Sequence, residues 1–141
     1  MRIAPVLLAG AFALASCGKS ETPTADGASA DAAPAAVVAP TAAMGEQVFK
    51  RCVACHTVDQ GGRNGIGPNL HGVVGAAVAA KPDFSYSGAM KAKGGVWDEA
   101  ALDSYLEAPM KAVPGTRMAF AGVIDAADRK ALILYLETQS K

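Results

Sequence analysis

Residues 51–58 read RCVACHTV: Cys52 and Cys55 stand three positions apart, with His56 directly behind the second. A dithiol redox pair, half of a zinc site and a haem attachment site all use some of these residues. The rest of the chain has to decide between them.

The chain has 141 residues, with 13 basic and 13 acidic side chains. That is room for one ordinary domain and an appendage. The opening reads as the appendage. Met1 and Arg2 lead into IAPVLLAGAFALA, an uncharged run ending at Ser16-Cys17, which has the form of a secretory signal over 1–16 and is too short for a membrane span of roughly 20 apolar residues. Leu14-Ala15-Ser16-Cys17 resembles the lipobox of bacterial lipoproteins, which implies an acylated Cys17 at the mature N-terminus and attachment to a membrane. Residues 18–43 are almost wholly Ala, Pro, Thr, Ser, Gly and Asp, with no aromatic. Such a segment buries too little apolar surface to offset its ordering entropy, so 17–43 is expected to be a lipidated N-terminus followed by a disordered linker. Its reach is about 28 Å as a flexible coil and at most roughly 85 Å extended.

The chemistry lies in 44–141, with eleven Lys and Arg against ten Asp and Glu. Mixed charge without an aromatic-basic platform excludes nucleic acid as a partner class. Large apolar side chains are few, so the domain has a thin core of its own. Residues 45–52 have apolar positions near helical spacing and predict a short helix running into the Cys pair. Residues 59–82 are rich in Gly, including GGRNGIGPNLHGVVG, and predict irregular loop. Residues 98–108 predict an amphipathic helix burying Leu102, Tyr105 and Leu106 and stopped by Pro109. Residues 125–138 predict the clearest helix, with Asp125 as N-cap and Ile124, Leu132, Tyr135 and Leu136 as its buried stripe. No strand pattern emerges. The expected class is all-α, short helices joined by long loops, and loops of that length are usual only where they serve a ligand or a function.

A dithiol centre of thioredoxin type goes with a βαβ pattern, which is missing here. A structural zinc ion needs four ligands, and beyond this motif the sequence holds only Cys17 and His71 as further Cys or His. A Cys52–Cys55 disulfide is compatible with export but leaves His56 and the thin core unexplained. Cys-x-x-Cys-His is also the attachment motif of c-type haem: on one turn the two sulfurs reach two vinyl groups of a porphyrin, and the adjacent imidazole faces the iron. That reading gives thioethers to Cys52 and Cys55 and the proximal ligand to His56, and it supplies apolar surface for sparse loops. In PMKAVPGTRMAFAG two prolines forbid a continuous helix, and Pro114-Gly115-Thr116 reads as a stiff turn that sets Met118 in an extended segment.

GEQVFKRCVACHTV, GPNLHGVVG, FSYSG, the Trp97, Tyr105, Pro109 spacing and PGTRMAFAG, in this order, resemble class I c-type cytochromes of the mitochondrial cytochrome c and bacterial cytochrome c2 type over essentially all of 44–141. The resemblance implies the cytochrome c fold around one covalently bound haem. It makes Met118 the sixth ligand of the iron and places Pro68, Trp97, Tyr105 and Thr116 at the haem: Pro68 through its carbonyl to His56 Nδ1, Trp97 on a propionate, Tyr105 near the Met118 sulfur. The rivals to Met118 are His71, which the family uses as a loop hydrogen-bonding residue, and Met110, Met90 and Met44, which read as packing or surface residues. This chain departs from the mitochondrial pattern at Ala76, where an arginine is usual, and at Met90, where an asparagine is usual. Both changes remove polar donors from a buried carboxylate, which implies a propionate of raised pKa and a pH-dependent potential. The segment between Phe49 and Cys52 is also one residue shorter.

The function implied is transfer of single electrons between respiratory or photosynthetic membrane complexes, from a quinol:cytochrome c oxidoreductase to a terminal oxidase or similar acceptor, by a monomer on the periplasmic face. Lys50, Arg51, Lys111 and Arg117 form a candidate docking rim. Two other readings remain at this stage: a haem sensor or weak peroxidase with a labile Met118, and a fixed subunit of a membrane oxidoreductase.

Overall fold

Two helices cross so closely that one has no side chain at the crossing. The computed structural model describes residues 38–140; the expected signal segment, Cys17 and most of the expected linker lie outside the described residues. Helix α1 (Ala42–Phe49) is capped by Thr41, whose hydroxyl accepts from Met44 N–H. Ala42 and Ala43, expected to be linker, are thus in its first turn, because the cap immediately precedes Ala42. A Cβ on Gly45 would lie 1.9 Å from the carbonyl oxygen of Ala131 and 2.8 Å from Tyr135 Cβ. Only glycine admits this approach of α1 to the last helix, α5 (Ala126–Thr138).

Phe49 packs on Tyr135 of α5 with ring centroids 5.2 Å apart. Beyond Phe49 the chain tightens: Arg51 N–H donates to Val48 O (3.1 Å) and Cys52 N–H to Phe49 O (2.7 Å). These i to i−3 bonds have 3₁₀ geometry. They take up the short spacing before Cys52 without moving Phe49 off α5. Cys55 and His56 N–H then both donate to Cys52 O, each at 3.0 Å, which winds the motif into a turn.

Helix α2 (Gly88–Lys93), capped by Ser87, is an element the sequence pattern did not predict, since six residues with one buried side chain, Met90, carry no periodicity to read. Helix α3 (Glu99–Glu107), capped by Asp98, buries Leu102, Tyr105 and Leu106 as expected. Pro109 does more than end α3, because it opens a further short helix, α4 (Pro109–Ala112), where its missing N–H costs nothing. Asp125 caps α5 as predicted, but Ile124 lies outside the stripe and is 76% exposed. It precedes the cap, so helical periodicity does not govern where it faces. The buried face runs through Arg129, Leu132, Ile133 and Leu136, with Tyr135 half-buried against α1.

Arg129 joins α5 to α3 through Asp103 (Nε to Oδ1, 2.7 Å) and donates from Nη1 to the carbonyls of Val123 (3.0 Å) and Ile124 (2.8 Å). The described residues contain one isolated antiparallel bridge, Ala77 with Val96. Around it Trp97 N–H donates to Ala76 O at 2.8 Å, which sets Trp97 at the edge of the loops.

In the haem-loaded domain, Gly45→Ala should lower stability by about 1–3 kcal/mol, the usual cost of overpacking a tight contact. Gly88→Ala, whose added methyl meets nothing within 4 Å, should leave the urea midpoint where it is.

Candidate functional site

Between these helices and the loops lies a cavity of about 700 Å³, walled mostly by apolar side chains. Cys52, Cys55, His56, Pro68, Trp97, Tyr105, Thr116 and Met118 all line it. Cys17 lies outside the described residues. Residues spread over more than sixty positions of sequence therefore meet at one space.

On one side, His56 Nδ1 stands 2.7 Å from the carbonyl of Pro68. A carbonyl can only accept, so Nδ1 carries the proton and Nε2 keeps its lone pair. Burial pushes the imidazole pKa down, against the opposing pull of the Pro68 carbonyl. The ring is neutral at neutral pH and suited to bind a metal. It rests on Gly67, where a Cβ would lie 2.3 Å from His56 Cε1. Next to Pro68, Asn69 is only 5% exposed. Its amide donates to Thr57 Oγ1 (2.7 Å) and Asp59 O (3.0 Å), and its Oδ1 accepts from His71 N–H (3.0 Å). The amide thereby fixes the loop whose carbonyl orients His56. GPNLHG drew attention as a motif, yet nothing in its pattern singled out Gly67 or Asn69. Each role depends on what a distant part of the chain brings near.

On the other side, Tyr105 Oη donates to the Met118 sulfur at 3.4 Å and lies 3.1 Å from Thr116 Oγ1. Since the tyrosine proton goes to sulfur, the Thr116 hydroxyl donates to the tyrosine oxygen. Thr116 Oγ1 in turn accepts from Met118 N–H at 3.3 Å. Main chain and side chain of Met118 are thus held by one closed ring of hydrogen bonds. Burial raises the Tyr105 pKa and keeps the phenol protonated as a donor.

The rivals separate cleanly. His71 does not line the cavity, and its carbonyl is taken by Lys81 Nζ at 3.0 Å. Met110 is 63% exposed, and Met44 also lies away from the cavity. Met90 lines the wall as a buried apolar residue, with Ala76 also on the wall, so neither offers it a polar donor. Trp97 stacks near Tyr105, centroids 4.9 Å apart.

The other readings of Cys-x-x-Cys-His lose their geometry. Burial, the largest influence, raises the Cys52 thiol pKa despite neighbouring Arg51, the reverse of what a redox thiolate needs. Cys52 and Cys55 are not joined to each other. Among the described residues no group of three or more His, Cys, Asp or Glu is placed to hold a metal ion by itself. A large apolar cavity lined by two thiols, a neutral imidazole, a thioether and the Trp97 indole fits a c-type haem.

Comparison with known proteins agrees. The family model described as cytochrome c matches residues 42–140. Cytochrome c2 of Rhodomicrobium vannielii is 50% identical over 95 residues, 67% of this chain and 76% of that protein. Cytochrome c2 of Agrobacterium tumefaciens is 44% identical over 97 residues, 67% of this chain and 87% of that protein. Among solved structures, cytochrome cH from Methylobacterium extorquens superposes with a TM-score of 0.66 at 42% identity, over 70% of this chain and 98% of that one. The chain therefore belongs to the cytochrome c family and is a one-electron carrier with one covalently attached haem c, not an enzyme.

Proposed function

We propose that this protein carries electrons from a quinol:cytochrome c oxidoreductase to a terminal oxidase or similar acceptor, through a haem held by Cys52 and Cys55 and ligated by His56 and Met118. One observation carries the ligand assignment: His56 and Met118 line the same cavity, and each already has its second polar contact satisfied, by Pro68 and Tyr105. Bound haem supplies an iron that alternates between ferric and ferrous states. Pro68 keeps His56 in the tautomer that presents Nε2. Tyr105 and Thr116 hold the Met118 thioether in place, and the apolar wall with a thioether ligand favours the reduced state and a high potential. The indole N–H of Trp97 suits a haem carboxylate. Were His56 and Met118 both to ligate the iron, the protein would leave no open coordination site for a substrate.

Lys50, Arg51, Lys111 and Arg117 are all exposed. We read them as the basic rim that meets acidic partner surfaces, and two of them, Arg51 and Arg117, line the cavity. A net charge near +1 over residues 44–141 makes steering weak. The Cys17 lipid and the linker supply what charge does not, by keeping the local concentration near membrane partners high. This places the protein on the periplasmic face of a bacterial membrane, as a monomer on a leash.

The ligand assignment is checked by optical spectra of the haem-loaded domain and its Met118→Ala variant. The parent should be low-spin with a weak far-red methionine-to-iron band, and the variant should lose that band and bind carbon monoxide when reduced. A high-spin parent that already binds carbon monoxide contradicts it. The tether is checked by fractionation: Cys17→Ser should move the protein from the membrane fraction to the soluble periplasmic one, and a variant that stays with the membrane contradicts lipidation.

A further inference from the structure

Arg51 immediately precedes the attachment motif, yet its side chain is spent on a segment 71 positions away. Its Nη2 donates to the carbonyl of Gly122 at 3.0 Å, and its guanidinium carbon lies 5.4 Å from the centre of the Phe120 ring. Gly122 and Phe120 belong to the loop that carries Met118. Among the described residues this is the only side-chain hydrogen bond between the 51–56 segment and that loop.

The loop is otherwise anchored at its two ends. At its start Val113 is buried and Thr116 meets Tyr105. At its end Gly122 fits against Glu107, where a Cβ would lie 2.0 Å from the carbonyl oxygen, and Val123 N–H donates to Leu106 O at 2.8 Å. Between those anchors Arg117, Ala119 and Ala121 are exposed. Met118 and Phe120 pack against the core but are only partly buried, so the stretch depends on its hydrogen bonds to stay down and is a candidate for local opening.

We propose that Arg51 is a positioning residue, a latch that fastens the Met118 loop to the His56 side of the cavity and sets how readily an outside ligand replaces Met118 on the iron. A charged donor to a carbonyl is among the stronger hydrogen bonds, and the guanidinium over Phe120 adds to it. Removing both in a half-exposed setting changes the ratio of open to closed loop by about tenfold. The latch rests on the reading of Met118 as an iron ligand and goes beyond it. It also explains why Arg51 keeps a fixed pose, whereas its neighbour Lys50 reaches only Gln47 within its own turn.

The test is the affinity of the ferric, haem-loaded protein for imidazole, followed through loss of the far-red methionine band. Arg51→Met should bind imidazole about tenfold more tightly than the parent, while still unfolding in one cooperative urea transition. Arg51→Lys should fall between them, since it keeps the charge but not the fork, and Phe120→Leu should shift affinity in the same direction without touching the attachment motif. Lys50→Met should match the parent. Parent-like affinity in both Arg51→Met and Phe120→Leu overturns the latch, and an equal gain in Lys50→Met overturns it in favour of a general charge effect. The far-red band of the parent reports separately on Met118: if it is absent, the ligand assignment fails along with the latch, and if it is present with unmoved affinities, the latch alone fails.

Discussion

An apolar cavity of about 700 Å³ constrains everything around it. A largely apolar space of that size leaves its lining without packing partners unless something fills it. Nor can the walls close inward, because α1 and α5 already touch backbone to backbone at Gly45. A domain with few large apolar residues thus makes sense only with a large apolar group as part of its core. The covalent haem of the cytochrome c family is such a group, and its attachment through two cysteines means the core cannot be lost by dissociation.

The two sides of the cavity are built differently. The His56 side is short-range and rigid: a turn of 3₁₀-like bonds, a ring seated on Gly67, and an Asn69 amide that ties three pieces of loop together. The Met118 side is an irregular loop held by hydroxyls, by Arg51 and by anchors at its ends. Electron transfer favours ligands whose geometry is fixed beforehand, because nothing then has to reorganise when the charge on iron changes. A closed ring of hydrogen bonds around Met118 serves that end without a helix or strand to carry the residue.

How much of this is legible in the sequence depends on how local the cause is. Cys52, Cys55 and His56 declare themselves because two thioethers and an axial ligand on one turn demand that spacing. Asp125 announces its helix through capping and residues 98–108 announce theirs through apolar spacing, and both helices appear where expected. Ile124 misleads because periodicity was extended past a cap into non-helical chain. Helix α2 is too short to have a period. Gly67, Asn69 and Arg51 matter through contacts with His56, Thr57 and Gly122, and a single sequence does not show which distant atoms will arrive there. Met118 lies between these cases: a proline-rich turn marks its setting and the family resemblance points to it as the ligand, while the Tyr105 and Thr116 contacts set it apart from Met90, which lines the same wall.

The central claim is that the haem is both redox centre and core, and the most direct measurement compares far-ultraviolet circular dichroism of the full chain with and without attached haem during heating. The haem-loaded protein should be helical and melt in one cooperative transition, while the haem-free chain should have lost most of that helix and show no cooperative transition. A haem-free chain with the same helical content and its own cooperative melt would contradict the account, for the cavity would then stand without its occupant.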